Sequence, residues 1–241
     1  MTYYICDDAP ESFFTAVFDA YKTDCVITSD GEIQLSLGIE TVRVHADSEK
    51  CERVRQGLKK YDRNAEEDIL TALRSCDTRK EQVCFLYLKS IFELKKPIRN
   101  AYALPEVVEF NDLLYKITGE THRLKGLLRF KETASGTFYA PYSPDNNITD
   151  LLMPHFAARF KAEKFIIHDI GRGIAGLYNG ERWITTYIGE AEICLAENET
   201  AFEALWKKYY KSVNIKARPH EKQMKRSMPV RYWKFLPEKK D

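Results

Sequence analysis

The stretch HDIGRGIAG, residues 168–176, decides between two fold classes. It follows the apolar residues 165–167, so a predicted strand leads into three glycines with the spacing of a dinucleotide-binding turn, G-x-G-x-x-G. Such a turn requires a helix directly after it, because the N-terminal N–H groups of that helix hold the pyrophosphate. Here Asn179 and Gly180, a typical hairpin turn, come next, with strand-forming residues on both sides. The stretch therefore predicts strand, turn and strand, with no Rossmann domain and no cofactor.

Outside this stretch, hydrophobic periodicity predicts helices and short strands that alternate irregularly. Strands are predicted at residues 3–6, at 138–140 and in a hairpin over 25–37 that turns at a Ser-Asp-Gly sequence. Helices are predicted to start at or next to these residues: Pro10, Ser48, Asn64, Thr78 (with Gln82 suited to its cap), Pro105, Asp150 and Glu199. The predicted fold class is α+β, with mostly antiparallel sheet elements interleaved with a central group of helices.

We expect a single domain over residues 1–241. It can be sub-divided into a β/α N-terminal part (1–46), a helical part (47–135) and an α+β part with a basic end (136–241). Hydrophobic residues make up 44% and charged residues 30%, as in ordinary globular proteins, and the apolar runs are too short to span a bilayer. The first residues lack the basic region of a signal peptide.

The six cysteines are scattered and form no C-x-x-C pair. Structural zinc and iron–sulfur sites normally need ligands that cluster along the chain, so we expect no metal. Reduced cysteines that fill the core are typical of a cytoplasmic protein.

Positive charge is concentrated at the end of the chain. The net charge of the whole is +1, but residues 205–241 hold twelve Lys or Arg and three Asp or Glu, which gives +9. Such asymmetry favours a polyanionic partner, of which nucleic acid is the commonest. A solvated basic tail is the alternative.

One predicted helix face carries a set of cations. If the helix extends through Arg129, then His122, Lys125 and Arg129 share a face that suits phosphate oxygens. In the alternative, this face is solvated and its cations pair with Glu120 and Glu132.

Histidines and carboxylates also occur near the 168–176 stretch. His155 and Arg159 lie one helical turn apart, whereas His168 and Asp169 are adjacent on a strand and therefore point to opposite faces. A contact between Asp169 and Arg172 within the turn is the structural interpretation of that pair. We find no nucleophile–base motif, so the sequence does not decide whether the protein is an enzyme.

The segment 225–238 mixes cations with aromatic rings. Tyr232 and Trp233 could stack on exposed bases while Arg231 and Lys234 hold phosphates. In the alternative, the segment packs onto the core through its apolar side chains: Met228, Tyr232, Trp233 and Leu236.

Taken in order along nearly the whole chain, these blocks resemble the bacterial probable DNA metabolism proteins, a family with a domain of unknown function. The blocks that carry the resemblance are ETHRLKGLLRF (120–130), PDNNI (144–148), HFAARF (155–160), IHD (167–169) with Arg172, and MPVRYWK (228–234). Residues 6–10, CDDAP, depart from the glycine-containing Tyr-Asp-Gly stretch of the family. The resemblance implies association with a radical SAM protein of DNA modification or repair. It also implies a uracil-DNA glycosylase-like partner, which we expect to act in trans because the chain ends after the last block. It assigns no catalytic residue.

The leading hypothesis is a cytoplasmic protein of DNA repair or modification that binds DNA or a DNA-processing partner. The residues expected to contact DNA are His122, Arg123, Lys125, Arg129, Arg159, Arg172, Arg231, Tyr232, Trp233 and Lys234. Charge reversal at Arg123 and Arg129 is expected to weaken binding without unfolding the protein. Two alternatives remain: a non-catalytic scaffold, and a hydrolase or lyase subunit that acts on a nucleobase. The second requires a pocket formed by four side chains: His122, His155, His168 and Asp169.

Overall fold

The computed structural model describes residues 2–29, 39–188, 194–213 and 221–239. The chain divides into two compact units, Met1–Thr118 and Gly119–Asp241. The boundary lies inside one helix, away from residues 46 and 135, where the sequence suggested sub-divisions. The single domain over residues 1–241 stays a prediction.

The first unit contains a sheet of three parallel strands and its surrounding helices. Its elements are β1 (Thr2–Cys6), α1 (Pro10–Ala20), β2 (Cys25–Thr28), β3 (Glu40–Val44), α2 (Ser48–Tyr61), α3 (Ala65–Ala72), α4 (Lys80–Leu94) and the first part of α5 (Pro105–Leu127). The strand order is β2-β1-β3, and β1 pairs in parallel with both neighbours. The sequence did not indicate this parallel pairing. The second strand of the predicted 25–37 hairpin lies outside the described residues.

Gln82 has a different role from the one predicted. Helix α4 begins at Lys80 with Arg79 at the N-cap and no side-chain cap, so Gln82 does not complete a cap at Thr78. Instead, Gln82 Oε1 accepts a hydrogen bond from Ile27 N at 2.8 Å, and its Nε2 donates to Cys25 O at 3.4 Å. The side-chain amide therefore satisfies backbone groups of β2.

The core of the first unit is built from aromatic and aliphatic side chains of α1, α2 and α4. Phe13 and Phe14 are almost fully buried, and the rings of Tyr87 and Phe110 stack with centroids 3.8 Å apart. Four of the six cysteines, Cys6, Cys25, Cys51 and Cys84, are buried free thiols, as expected of core residues.

The second unit contains a five-stranded sheet. After the end of α5, its elements are β4 (Lys131–Glu132), β5 (Phe138–Tyr142), α6 (Thr149–Phe160), β6 (Phe165–Asp169), β7 (Ile174–Tyr178), β8 (Trp183–Tyr187), α7 (Glu199–Val213), α8 (Glu221–Ser227) and two 3₁₀ helices (Val230–Phe235 and Pro237–Lys239). The strand order is β4-β5-β6-β7-β8, antiparallel except for β5 and β6, which α6 connects in parallel. The predicted α+β class is confirmed.

Two glycines have distinct roles in this sheet: Gly176 of the 168–176 stretch and Gly180 of the turn that follows. The antiparallel pairs β6–β7 and β7–β8 confirm the predicted strand, turn and strand. Gly180 has φ of +100°, which favours glycine in the turn. A Cβ on Gly176 would overlap the side chain of Met153 from α6, so any larger residue would require Met153 to move.

Within the described residues, no helix is both long and apolar enough to cross a membrane.

Candidate functional site

A buried carboxylate organises the polar centre of the second unit. Glu120, on α5, is 1% exposed, and both of its oxygens accept hydrogen bonds. Asp145 N donates to Oε1 at 2.9 Å, whereas Asn146 donates to Oε2 from its backbone N at 2.9 Å and from Nδ2 at 2.6 Å. The hydroxyl of Tyr232 also donates to Oε1. Burial alone would raise the pKa of Glu120, but the bonds from Tyr232, Asp145 and Asn146 outweigh it and hold the pKa below its usual value.

Arg231 is tied to the same centre. Its Nη2 lies 2.7 Å from Asp145 Oδ2 and 3.5 Å from Glu120 Oε1, and donates to the Tyr232 hydroxyl at 2.9 Å. The guanidinium is therefore neutralised within the unit, although part of it reaches the surface.

The 225–238 segment follows the packing interpretation. Tyr232 is 2% exposed and Leu236 is fully buried, so neither is available to stack on a base. Trp233 is partly buried, and its Nε1 donates to Met228 O at 2.9 Å. Lys234 alone among the four predicted contact residues is exposed and has no carboxylate within ion-pair distance in the described part of the chain.

The predicted turn contact between Asp169 and Arg172 is confirmed. The buried Asp169 carboxylate accepts from Gly171 N at 3.1 Å and from Arg172 N at 3.3 Å, and Arg172 Nη1 donates to it at 2.9 Å. Arg172 also donates to Pro144 O at 3.1 Å and to Asp145 O. The loop between β5 and α6 is thus held by Glu120 on one side and by Arg172 on the other.

Arg129 does not share a helix face with His122 and Lys125, because α5 ends at Leu127. Its Nη2 lies 2.6 Å from Oε1 of Glu238, whose carboxylate is fully buried, and its Nη1 donates to Gly126 O at 2.8 Å. Trp206 Nε1 donates to the second oxygen of Glu238 at 2.9 Å. Reversing the charge of Arg129 would leave the Glu238 carboxylate buried without a cation, so the structure favours a destabilising effect of this change.

Two cations and a histidine from two helices lie near one another without such partners in the described part of the chain. Lys125 of α5 and Arg159 of α6 lie near His155, and we call these three residues the basic cluster. Burial and then the positive charges of Lys125 and Arg159 lower the pKa of His155 from its usual value. Among the residues that the structure describes, no carboxylate lies within ion-pair distance of any of the three.

The basic cluster has a rigid base. The ring of His155 packs edge-on against Phe156, with centroids 4.9 Å apart. Phe156 is buried and contacts Phe130 and Phe165 in the aromatic core beneath α6. His122 is exposed and lies one helical turn before Lys125 on α5, so these two residues share a face of the helix.

Arg123 also lies on α5, but it is not part of the basic cluster. Its guanidinium folds back over Gly119, where a Cβ would lie 3.4 Å from Nη1. Its Nε is buried and has no hydrogen-bond partner among the described residues.

Two side chains of the predicted catalytic pocket, His155 and His168, lie on opposite sides of the five-stranded sheet. Gly176 faces α6, which carries His155, and its register partner Ile167 shares that face. His168, next to Ile167, therefore points to the other face of the sheet, where its Nδ1 lies 2.8 Å from the Tyr139 hydroxyl. Asp169 is occupied by Arg172, so the pocket is not formed.

Sequence reasoning considered Glu120 only as a partner for the cations of its own helix face, and it missed Glu238 and Asn146 as residues that neutralise or hold the others. One local signal was present for Glu120, which lies four and seven residues before the buried Leu124 and Leu127. A carboxylate in line with an apolar helix stripe indicates a buried, hydrogen-bonded acid.

A family model described as a domain of unknown function, DUF4130, matches residues 78–238. No curated protein matches the chain.

Proposed function

The chain belongs to the DUF4130 family of domains of unknown function, and from the basic cluster of its second unit we propose that it binds the phosphate backbone of DNA. One observation carries this proposal: Lys125 and Arg159 lie near enough to His155 to lower its pKa, and none of the three has a carboxylate partner in the described part of the chain. The positive charges of Lys125 and Arg159 disfavour a proton on His155, and a phosphate bound beside them would offset these charges.

The proposed DNA-contact surface contains fewer residues than the sequence suggested. Arg129, Arg172 and Arg231 already pair with carboxylates, so they hold the fold and the loop before α6. The proposed contact surface consists of the basic cluster, with His122 and the exposed Lys234 as further contact residues.

The resemblance of the sequence blocks to those of the bacterial probable DNA metabolism proteins favours DNA over other polyanions. We therefore place the protein in DNA repair or modification in the cytoplasm. It would act beside a radical SAM protein or a uracil-DNA glycosylase-like protein.

Fluorescence anisotropy with labelled single- and double-stranded oligonucleotides tests DNA binding. We expect the affinity to fall steeply with salt, because each neutralised phosphate releases counterions. The double variant Lys125→Gln/Arg159→Gln should bind more weakly and lower the slope of log K against log salt by about two. Lys96→Gln, which removes an exposed lysine of the first unit, is the matched control and should leave the slope unchanged. Binding that does not respond to salt, or equal slopes for the double variant and the wild type, would contradict the proposal.

Co-purification tests the partner. The chain should retain a co-expressed radical SAM protein or glycosylase-like protein after nuclease treatment if the two proteins dock directly. Loss of the partner with nuclease would mean that DNA bridges them, and no retention under either condition would refute the association.

A further inference from the structure

One edge of the five-stranded sheet is open. Strand β8 pairs with β7 and has no strand on its other side among the described residues. Its side chains are exposed on both faces: Trp183 is 38%, Ile184 59% and Tyr187 81% exposed. The strand contains no charge and no proline, the residues that usually prevent an edge strand from pairing.

The backbone of β8 presents a regular row of N–H and C=O groups on this open edge. Ile188 N donates to Gly173 O at 2.8 Å, and Asn179 N donates to Arg182 O at 3.2 Å. Because bonded residues alternate in an antiparallel ladder, residues 184 and 186 also direct their backbone groups to β7. The residues whose N–H and C=O groups point away from β7 are Trp183, Thr185 and Tyr187.

We propose that β8 pairs antiparallel with β8 of a second copy of this chain, about a twofold axis that passes between the two Thr185 residues. In this register Trp183 of each copy lies opposite Tyr187 of the other. Ile184 lies opposite Thr186, and Thr185 lies opposite its own counterpart. Aromatic pairs and Thr–Thr pairs are among the favourable cross-strand contacts, so the sequence WITTY is complementary to itself.

Hydrogen bonding agrees with this register. Trp183, Thr185 and Tyr187 of one copy lie opposite Tyr187, Thr185 and Trp183 of the other. All of these residues have outward-pointing backbone groups, so every pair can exchange both N–H···O bonds. A shift by one residue would place outward groups opposite inward ones and lose these bonds.

The opposite edge of the sheet explains why pairing would stop at two copies. Beside β4, Ala196 N donates to Glu132 O at 3.0 Å, and Ala134 N donates to Cys194 O at 2.9 Å. The Glu199 side chain accepts from Glu132 N at 2.8 Å. This edge is occupied by the same chain, so β8 of a second copy cannot add to it, and the twofold pairing of two β8 strands closes as a dimer.

Charge placed on the axis tests the proposal. Thr185 is exposed, and Thr185→Lys or Thr185→Glu would set two like charges opposite each other. The mass of the full-length wild type should rise from monomer to dimer with concentration in sedimentation equilibrium. Each variant alone should have a dimer dissociation constant at least about tenfold larger, and an equimolar mixture of the two should regain the dimer. The control Thr78→Lys, at an exposed threonine of the first unit, should dimerise like the wild type.

Circular dichroism and thermal unfolding of the variants check that they remain folded. Thr185→Pro gives a second route if the charged variants fail to fold. It removes an N–H that points away from β7, so it should block the dimer while it spares the ladder to β7. A wild type that stays monomeric up to about 500 µM would overturn the proposal, since specific dimers bind more tightly than this. So would a dimer that is unaffected by all three Thr185 variants.

Discussion

The second unit contains two sets of cations that look alike in the sequence and differ in the structure. Arg129, Arg172 and Arg231 each bind a carboxylate, whereas Lys125 and Arg159 of the basic cluster flank His155 without one in the described residues. The difference teaches that a positive residue is available to a ligand only when no carboxylate of its own chain has neutralised it. The first set should govern stability and the second should govern binding.

The largest expected effect comes from removing Glu120, the buried carboxylate that pairs with Arg231 of the first set. Glu120→Ala should lower the free energy of unfolding by about 3 kcal/mol, because the Tyr232 hydroxyl and the Asn146 amide lose a charged acceptor in the interior. Urea denaturation followed by tryptophan fluorescence measures this. The exposed Glu197→Ala is the control and should change the free energy by less than about 0.5 kcal/mol. A similarly small change for Glu120→Ala would remove the distinction between the two sets.

A smaller and opposed pair of effects is expected for one arginine of each set. Arg172→Gln should cost about 1–2 kcal/mol of stability, because it leaves Asp169 buried without its cation. The DNA affinity of its folded fraction should stay that of the wild type. Arg159→Gln should leave stability within about 0.5 kcal/mol and weaken DNA binding by about threefold to tenfold at low salt. If Arg172→Gln and Arg159→Gln both lower stability, or both weaken DNA binding, then the two sets do not differ in role.

Acid should weaken the first set through its buried carboxylates. Hydrogen bonds and Arg129 hold the pKa of Glu238 below its usual value against the raising effect of burial, and the pKa of Glu120 is also lowered. A carboxyl whose folded pKa is lowered contributes stability above the pKa of the unfolded chain and loses it as the pH falls through the folded value. The free energy of unfolding should therefore decline from about pH 5 downwards. Glu120→Gln should flatten that decline, whereas Arg159→Gln should follow the wild type.

The smallest expected effect lies within the basic cluster. Lys125→Gln removes one of the charges that lower the pKa of His155, so this pKa should rise. An NMR titration of the His155 ring protons measures the change, and Lys234→Gln serves as the control. An unchanged pKa in Lys125→Gln would show that Lys125 and His155 do not form one cluster.

Local patterns predicted the local parts of this fold. The run of residues 199–213 matched helix α7, and the Asn-Gly turn predicted the β7–β8 hairpin. The contact of Asp169 with Arg172, three residues apart, was also within reach of sequence reasoning. Each of these features depends on residues that are close together in the chain. The hydrophobic periods of helices and strands show which of these residues share a face.

The candidate site was harder to predict because its contacts join distant parts of the chain. Tyr232 is 112 residues from Glu120, and Arg129 is 109 residues from Glu238. Spacing along one helix suggested that Arg129 belonged with Lys125, since periodicity carries no information on which carboxylate a folded arginine meets. The parallel pairing of β5 with β6 went unpredicted for the same reason.

Gln82 shows how little is needed to end a sheet. Its single amide group both donates to and accepts from β2, as one residue of a neighbouring strand would, yet it is fixed on α4 and cannot lengthen the sheet. The Ile27 amide should therefore exchange its hydrogen as slowly as that of an interior strand. The side chain of Gln82 thereby blocks the addition of another strand at this edge, whether from a partner or from a second copy.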